Sequence, residues 1–93
     1  MKKEEFIKGQ YYYMWYNNER SWILQFEEFD NNYLRMTQGI SPSDKSRGSK
    51  GGWGNFQDIR QARPATSEEI NQLHACAEAG KYVPAESQSY QIY

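Results

Sequence analysis

His74 and Cys76 are the only histidine and the only cysteine in the chain. A catalytic thiolate needs a base within hydrogen-bond reach, and a zinc site needs several such donors. Two residues apart on a helix, His74 and Cys76 do not share a face. Cys76 therefore reads as a small buried side chain, and neither a metal site nor a nucleophilic pair is expected. The other candidates for acid–base work are Glu27, Glu28 and Asp30. Adjacent residues of a strand point to opposite faces, so Glu27 and Glu28 do not make a dyad. The chain is expected not to be an enzyme and to need no cofactor.

Binding chemistry is better supplied. Lys45, Arg47 and Lys50 lie in a Gly/Ser-rich stretch. Glycines there let backbone N–H groups converge on an anion, and the cations add charge. The plainer alternative is a solvated mobile loop, and the P-loop spacing is absent. Trp53 stands between Gly52 and Gly54, poorly shielded by its sequence neighbours. It either stacks on a base, a pocket wall or a partner, or folds back on the sheet. Arg60 and Arg63 can reach a phosphate or carboxylate. Their alternative is ordinary pairing with Glu27, Glu28 or Glu69. In Tyr11–Tyr16 one parity must be core, and the other forms an aromatic face that one helix cannot hide. The expected ligand-binding set is Tyr12, Trp15, Lys45, Arg47, Lys50, Trp53, Arg60 and Arg63.

The elements that must carry these residues follow from local pattern. Residues 1–8 read as a short lead-in that Gly9 ends. Tyr11–Tyr16 is rich in strand formers, and Asn17-Asn18 is a turn signal. Residues 21–29 alternate, with Trp22, Leu24 and Phe26 on one face and Ile23, Gln25 and Glu27 on the other. After the turn Asp30-Asn31-Asn32, Tyr33–Ile40 makes a third strand, with Leu34, Met36 and Ile40 in phase. Short turns between strands predict an antiparallel meander. Residues 41–54, with four Gly and four Ser, predict a flexible loop. Trp53–Phe56 and Ile59–Arg63 read as one or two short strands. Thr66-Ser67-Glu68-Glu69 has the capping-box pattern, and Gly80 stands where a C-terminal cap belongs. The helix is predicted from about Ser67 to about Ala79, with Ile70, Leu73 and Ala77 on its apolar stripe. The fold class is α+β: a curved antiparallel sheet of four or five strands, an SH3-like barrel at the closed limit, with one C-terminal helix. Residues 1–84 form one domain, and the polar tail 85–93 is either disordered or docked through Tyr90, Ile92 and Tyr93.

Composition bounds the function. At 93 residues there is room for one domain. One cysteine excludes an intramolecular disulfide. The charged start Met1–Glu5, with no apolar run after it, argues against a secretory leader, and no stretch is long enough to span a membrane. A cytoplasmic protein is expected. Aliphatic side chains are few, whereas 8 Tyr, 4 Phe and 3 Trp supply large rings. Such a small core would gain from a second copy, so a homo-oligomer is expected. The net charge of −1 hides regional values of −1 over 1–40, +3 over 41–63 and −3 over 64–93. A +3 centre suits a small anion and is too weak for a long nucleic acid.

Arg63-Pro64-Ala65-Thr66-Ser67-Glu68-Glu69-Ile70, then Leu73, Ala75-Cys76 and Gly80-Lys81-Tyr82-Val83-Pro84, resembles a C-terminal signature of small uncharacterised proteins of Bacteroidetes bacteria and their phages. The resemblance covers most of residues 6–84 and extends to the aromatic stretch Gly9–Trp22. It implies origin more than mechanism: a phage or prophage accessory protein, a class whose members often interfere with a host process. Three functions are then weighed: sequestration of a small anionic ligand such as a nucleotide immune signal, inhibition of or adaptation to a host protein through exposed aromatics, and binding of single-stranded nucleic acid. The first fits the aromatic excess and the basic centre together.

Overall fold

A computed structural model describes residues 1–48 and 53–84, with Trp53 in its backbone only. The architecture is α+β. A 3-10 turn, η1 (Lys3–Glu5), leads into the meander β1 (Tyr11–Tyr16), β2 (Ser21–Asp30) and β3 (Tyr33–Ser41). Short strands β4 (Ser46–Gly48) and β5 (Trp53–Asn55) follow, then a second 3-10 turn, η2 (Phe56–Asp58), β6 (Ile59–Pro64) and helix α1 (Ser67–Ala79). The sheet has six strands in the order β4-β3-β2-β1-β6, with β5 pairing the other end of β3. All pairings are antiparallel. The stretch expected to be loop thus contains β4, joined to β3 by a tight turn. The sheet is not closed: the chain passes from β5 through η2 to β6 on the far side of β1, but among the described residues β6 pairs only β1. The closed barrel is therefore not formed. None of the described helices is long and apolar enough to cross a membrane.

Both faces of the sheet are buried, and this is where the rings go. Tyr12, Met14, Leu24, Phe26, Leu34 and Met36 fill one face together with Phe6 from the lead-in. Phe6 is the plug of this core: its ring centroid lies 4.8 Å from Tyr12, 5.4 Å from Phe26 and 5.4 Å from Phe29. Phe56 of η2 closes the same cluster, 5.5 Å from Phe29 and edge-on. On the other face Ile23 and Ile40 meet Leu73 and Cys76 of α1, flanked by Tyr11, Tyr13, Tyr82 and Val83.

Ile40 leaves the phase expected for β3. The register shift between Gln25 and Phe26 leaves Thr37 as an extra residue on β3 and turns the second half of that strand over relative to the first; the shift between Phe26 and Glu28 leaves Glu27 as an extra residue on β2. A bulge moves every later side chain to the opposite face. Leu34 and Met36 therefore join the Phe6 cluster, whereas Ile40 meets the helix.

Helix α1 forms as its caps dictate. Thr66 Oγ1 accepts from Glu69 N–H at 3.2 Å, and Glu69 Oε1 accepts from Thr66 N–H at 2.8 Å. Gly80 ends it in the left-handed region at φ 72°, where a side chain would be strained. The buried stripe is Gln72, Leu73 and Cys76: Leu73 is central as expected, Cys76 moves in from its expected place at the edge, and Ile70 and Ala77 are only partly buried. The cause is the segment after Gly80, which doubles back: Val83 N–H donates to Cys76 Sγ at 3.1 Å, and Gln72 Nε2 donates to the Tyr82 hydroxyl at 3.2 Å.

Tyr16 reaches from β1 across the first core to Gly54 of β5, where a methyl would overlap the tyrosine hydroxyl. Burial, and then the charge of Asp58, push the Tyr16 phenol up to about 12. Overpacking of this kind typically costs about 1–3 kcal/mol. Gly54→Ala is expected to lower stability by about that amount in urea unfolding. The penalty should shrink when Tyr16→Phe removes the hydroxyl, and equal penalties in both backgrounds would refute the contact.

Candidate functional site

The best-built cluster of ring and charge outside the two cores stands on the helix-bearing face of the sheet, at the end of β1. Tyr13 and Trp15, two residues apart on β1, project to the same side. Their ring centroids are 4.3 Å apart with 34° between planes. The cross-strand partner of Tyr13 is Arg63 on β6. Its guanidinium carbon sits 4.8 Å from the Tyr13 centroid and 5.5 Å from that of Trp15. Such cation–π contacts are worth about 0.5–1 kcal/mol at exposed sites and more when dry.

Arg63 is held from its other side by α1. Its Nη1 donates to Glu69 Oε1 at 2.9 Å and its Nη2 to Glu69 Oε2 at 2.8 Å, the paired-fork geometry that suits carboxylate and phosphate alike. Nη1 also reaches the Pro64 carbonyl at 3.0 Å. Burial works to raise the Glu69 carboxyl, but the hydrogen bonds from Arg63 and from the Thr66 backbone prevail and hold it below its ordinary range. The Glu69 hydrogen bond holds Arg63 above its ordinary value, against the opposing effect of burial.

The expected site residues do not form one pocket. Trp15 and Arg63 come together, with Tyr13 and Glu69 completing their cluster. Tyr12 belongs to the first core: it is 4% exposed, and its hydroxyl accepts from Ile7 N–H at 2.8 Å, so its ring faces no ligand. Odd and even residues of β1 had to part, and Tyr12 took the interior side. Arg63 is no free anion receptor, because Glu69 already fills its fork; the ordinary pairing weighed from sequence is the one formed. Arg60 is exposed and falls where the β1–β6 register slips, opposite no residue of β1. Lys45 and Arg47 are exposed at the β3–β4 turn and on β4, and neither forms an ion pair among the described residues. Lys50 and the side chain of Trp53 lie outside the described residues, as does the tail from 85 onward.

Register nevertheless sets Arg47 and Arg63 on the same face. Across the sheet, Arg47 pairs Ile40, Ile40 pairs Ile23, Ile23 pairs Tyr13 and Tyr13 pairs Arg63. Helix α1 covers the apolar middle of this row. Its cationic ends are four strands apart in the sheet order, or roughly 19 Å at ordinary strand spacing. The β3–β4 turn is itself well fixed. Ser41 Oγ donates to the Ser21 carbonyl at 2.8 Å, Ser43 Oγ accepts from Ser21 N–H at 2.9 Å, and Arg20 Nε donates to Asp44 Oδ2 at 2.6 Å.

The sequence argument from an aromatic face too large to hide is overturned. Of the described aromatic rings only Tyr33 is strongly exposed, at 55%. Tyr13 and Trp15 cover one another and are covered in part by Arg63, leaving a half-buried platform in place of a bare face. Tyr13 could have been found from its shared parity with Trp15, and Glu69 from its helix position beside the end of β6. His74 and Cys76 separate as expected: Cys76 is fully buried, whereas His74 is exposed with Nε2 3.3 Å from the Tyr11 hydroxyl. No family model, curated protein or solved structure matches the chain.

The depressed Glu69 carboxyl predicts an acid limb of stability. A folded pKa below the unfolded one, near 4.5, contributes stability that is complete above that value and lost as pH falls through the folded value. Thermal unfolding followed from pH 6 down to pH 3 should therefore show a shallower loss in Glu69→Gln than in the wild type. Parallel profiles would show that the clasp adds nothing to the pH dependence.

Proposed function

We propose that the chain is a non-enzymatic binding domain that captures a small anionic ligand bearing a planar ring, a nucleotide being the chemical class that suits it. The observation that carries this reading is the half-buried Trp15 ring, backed by Tyr13 and bordered by the Arg63 guanidinium. A ring so backed offers a rigid stacking surface at little entropic cost. Lys45 and Arg47, exposed and without ion-pair partners among the described residues, add positive charge beyond the opposite flank of α1. An extended ligand with more than one phosphate matches that separation better than a mononucleotide. The phage-type context rests on the resemblance of the C-terminal signature, and a role in the bacterial cytoplasm sequestering a host immune signal is proposed from that context.

A protein partner is the second reading. Ile7 at 61% and Tyr33 at 55% exposure are the largest apolar side chains left to solvent among the described residues. They would serve a host protein, or a second copy of the chain, as anchors.

Calorimetry against a panel of linear and cyclic nucleotides tests the first reading. Loss of base stacking costs about 1–3 kcal/mol, so Trp15→Ala should weaken binding about fivefold to a hundredfold. Arg47→Ala should weaken it less and reduce its salt dependence. No heat of binding at high micromolar nucleotide would refute the proposal. Loss of partner capture in Tyr33→Ala, with no nucleotide bound by the wild type, would favour the second reading.

A further inference from the structure

Arg63 and Glu69 are each held twice, and that duplication bears on what their contact does. Arg63 also has the Tyr13 and Trp15 rings beneath its guanidinium. Glu69 Oε1 also accepts from the Thr66 N–H of the helix cap. Letting go therefore leaves neither group without a partner. The pair is also within reach of solvent, with 39% of the Arg63 side chain and 18% of the Glu69 side chain exposed. The carboxylate occupies the guanidinium fork with both oxygens, at 2.9 and 2.8 Å, as an incoming phosphate would.

We infer that Glu69 is an internal stand-in for the ligand's anionic group: it closes the Arg63 fork in the free protein, and a phosphate displaces it on binding. The inference rests on the ligand-binding reading above and adds its regulation. A dianionic phosphate can compete for the fork where a chloride or a single exposed carboxylate does not, because it brings more charge in the same bidentate geometry. The device sets a threshold. Ligand must outcompete a carboxylate already in place, so apparent affinity falls by the fraction of molecules whose fork is shut. The Glu69 side chain, at the first turn of α1, is the part that would move.

The test is titration of the folded protein with inorganic pyrophosphate, followed by calorimetry, in the wild type, Glu69→Gln and the double variant Arg63→Ala/Glu69→Gln. Glu69→Gln keeps an oxygen for Thr66 N–H and removes the charge from the fork. It should bind pyrophosphate at least fivefold more tightly than the wild type, and the double variant should lose that gain. Should Glu69→Gln prove unfolded by its melting curve, Glu69→Asp replaces it, since the shorter side chain cannot fill the fork. If the wild type binds and the Glu69 variant binds equally or less tightly, the stand-in is overturned while the ligand-binding reading stands. Binding by the Glu69 variant alone supports the stand-in and shows the wild-type site shut to this anion. If neither binds, the stand-in is overturned, and the nucleotide titration decides the ligand-binding reading separately.

Discussion

Strand β1 is paired on both edges and packed on both faces, and the rest of the fold is arranged around that constraint. It lies between β2 and β6, so both of its edges are paired. Tyr12 and Met14 face one core, and Tyr11 and Tyr13 face the other. A chain poor in aliphatics must then find cover for two faces of one sheet. The lead-in supplies it on one side through Phe6, helped by Phe56 of η2. Helix α1 supplies it on the other through Leu73 and Cys76. Rings meeting edge-on or tilted fill this space with few side chains and add about 0.5–1.5 kcal/mol per pair beyond area burial.

The two covers are secured differently. Phe6 is held by packing and by hydrogen bonds of the lead-in, from its own N–H to the Lys3 carbonyl, from Ile7 N–H to the Tyr12 hydroxyl and from Gly9 N–H to the Phe26 carbonyl. The apolar stripe of α1 is narrow, only Leu73 and Cys76 with the amide of Gln72 beside them, so polar ties supplement it. Glu69 binds Arg63 at one end, His74 meets Tyr11 near the middle, and the Tyr82-Val83 segment returns onto Gln72 and Cys76. A charge-assisted, bidentate, partly desolvated pair contributes more than a typical surface ion pair. The helix is thus positioned by chemistry at its ends as much as by the hydrophobic contact between them.

Which parts of this were legible in the sequence follows from how local each determinant is. Tyr11–Tyr16 and Ser67–Ala79 could be bounded because their signals are contained within them: ring-rich strand formers beside an Asn turn, and a capping box with a C-terminal glycine. Ile40 could not be placed, because its face depends on bulges opposite Phe26 that have no glycine or proline to announce them. Strand β4 was hidden for a different reason. Ser46-Arg47-Gly48 has no apolar alternation and exists because β3 offers an edge next to a turn fixed by Ser41, Ser43 and Asp44. The candidate site was half legible for the same reason. Residue types identified Trp15 and Arg63, but only cross-strand register could assign Arg63 to Tyr13 and remove Tyr12 to the core.

Tyr13 links this architecture to binding. Its ring borders the cluster under α1 and also backs Trp15, where the face runs out from beneath the helix. The platform is therefore the last layer of the second core, not a separate surface feature. Its rigidity comes from the same contacts that position α1. A ligand stacked there would add to them, raising stability by mass action as the logarithm of one plus its concentration over its dissociation constant. Arg63 stands at that junction, its flat side on the rings and its fork toward the helix. Whatever occupies the fork, a carboxylate of the chain or an anion from outside, is felt by the sheet and by the first turn of α1 at once. On the proposed reading, that shared dependence would make Glu69 the residue through which occupancy of the site and seating of the helix are coupled.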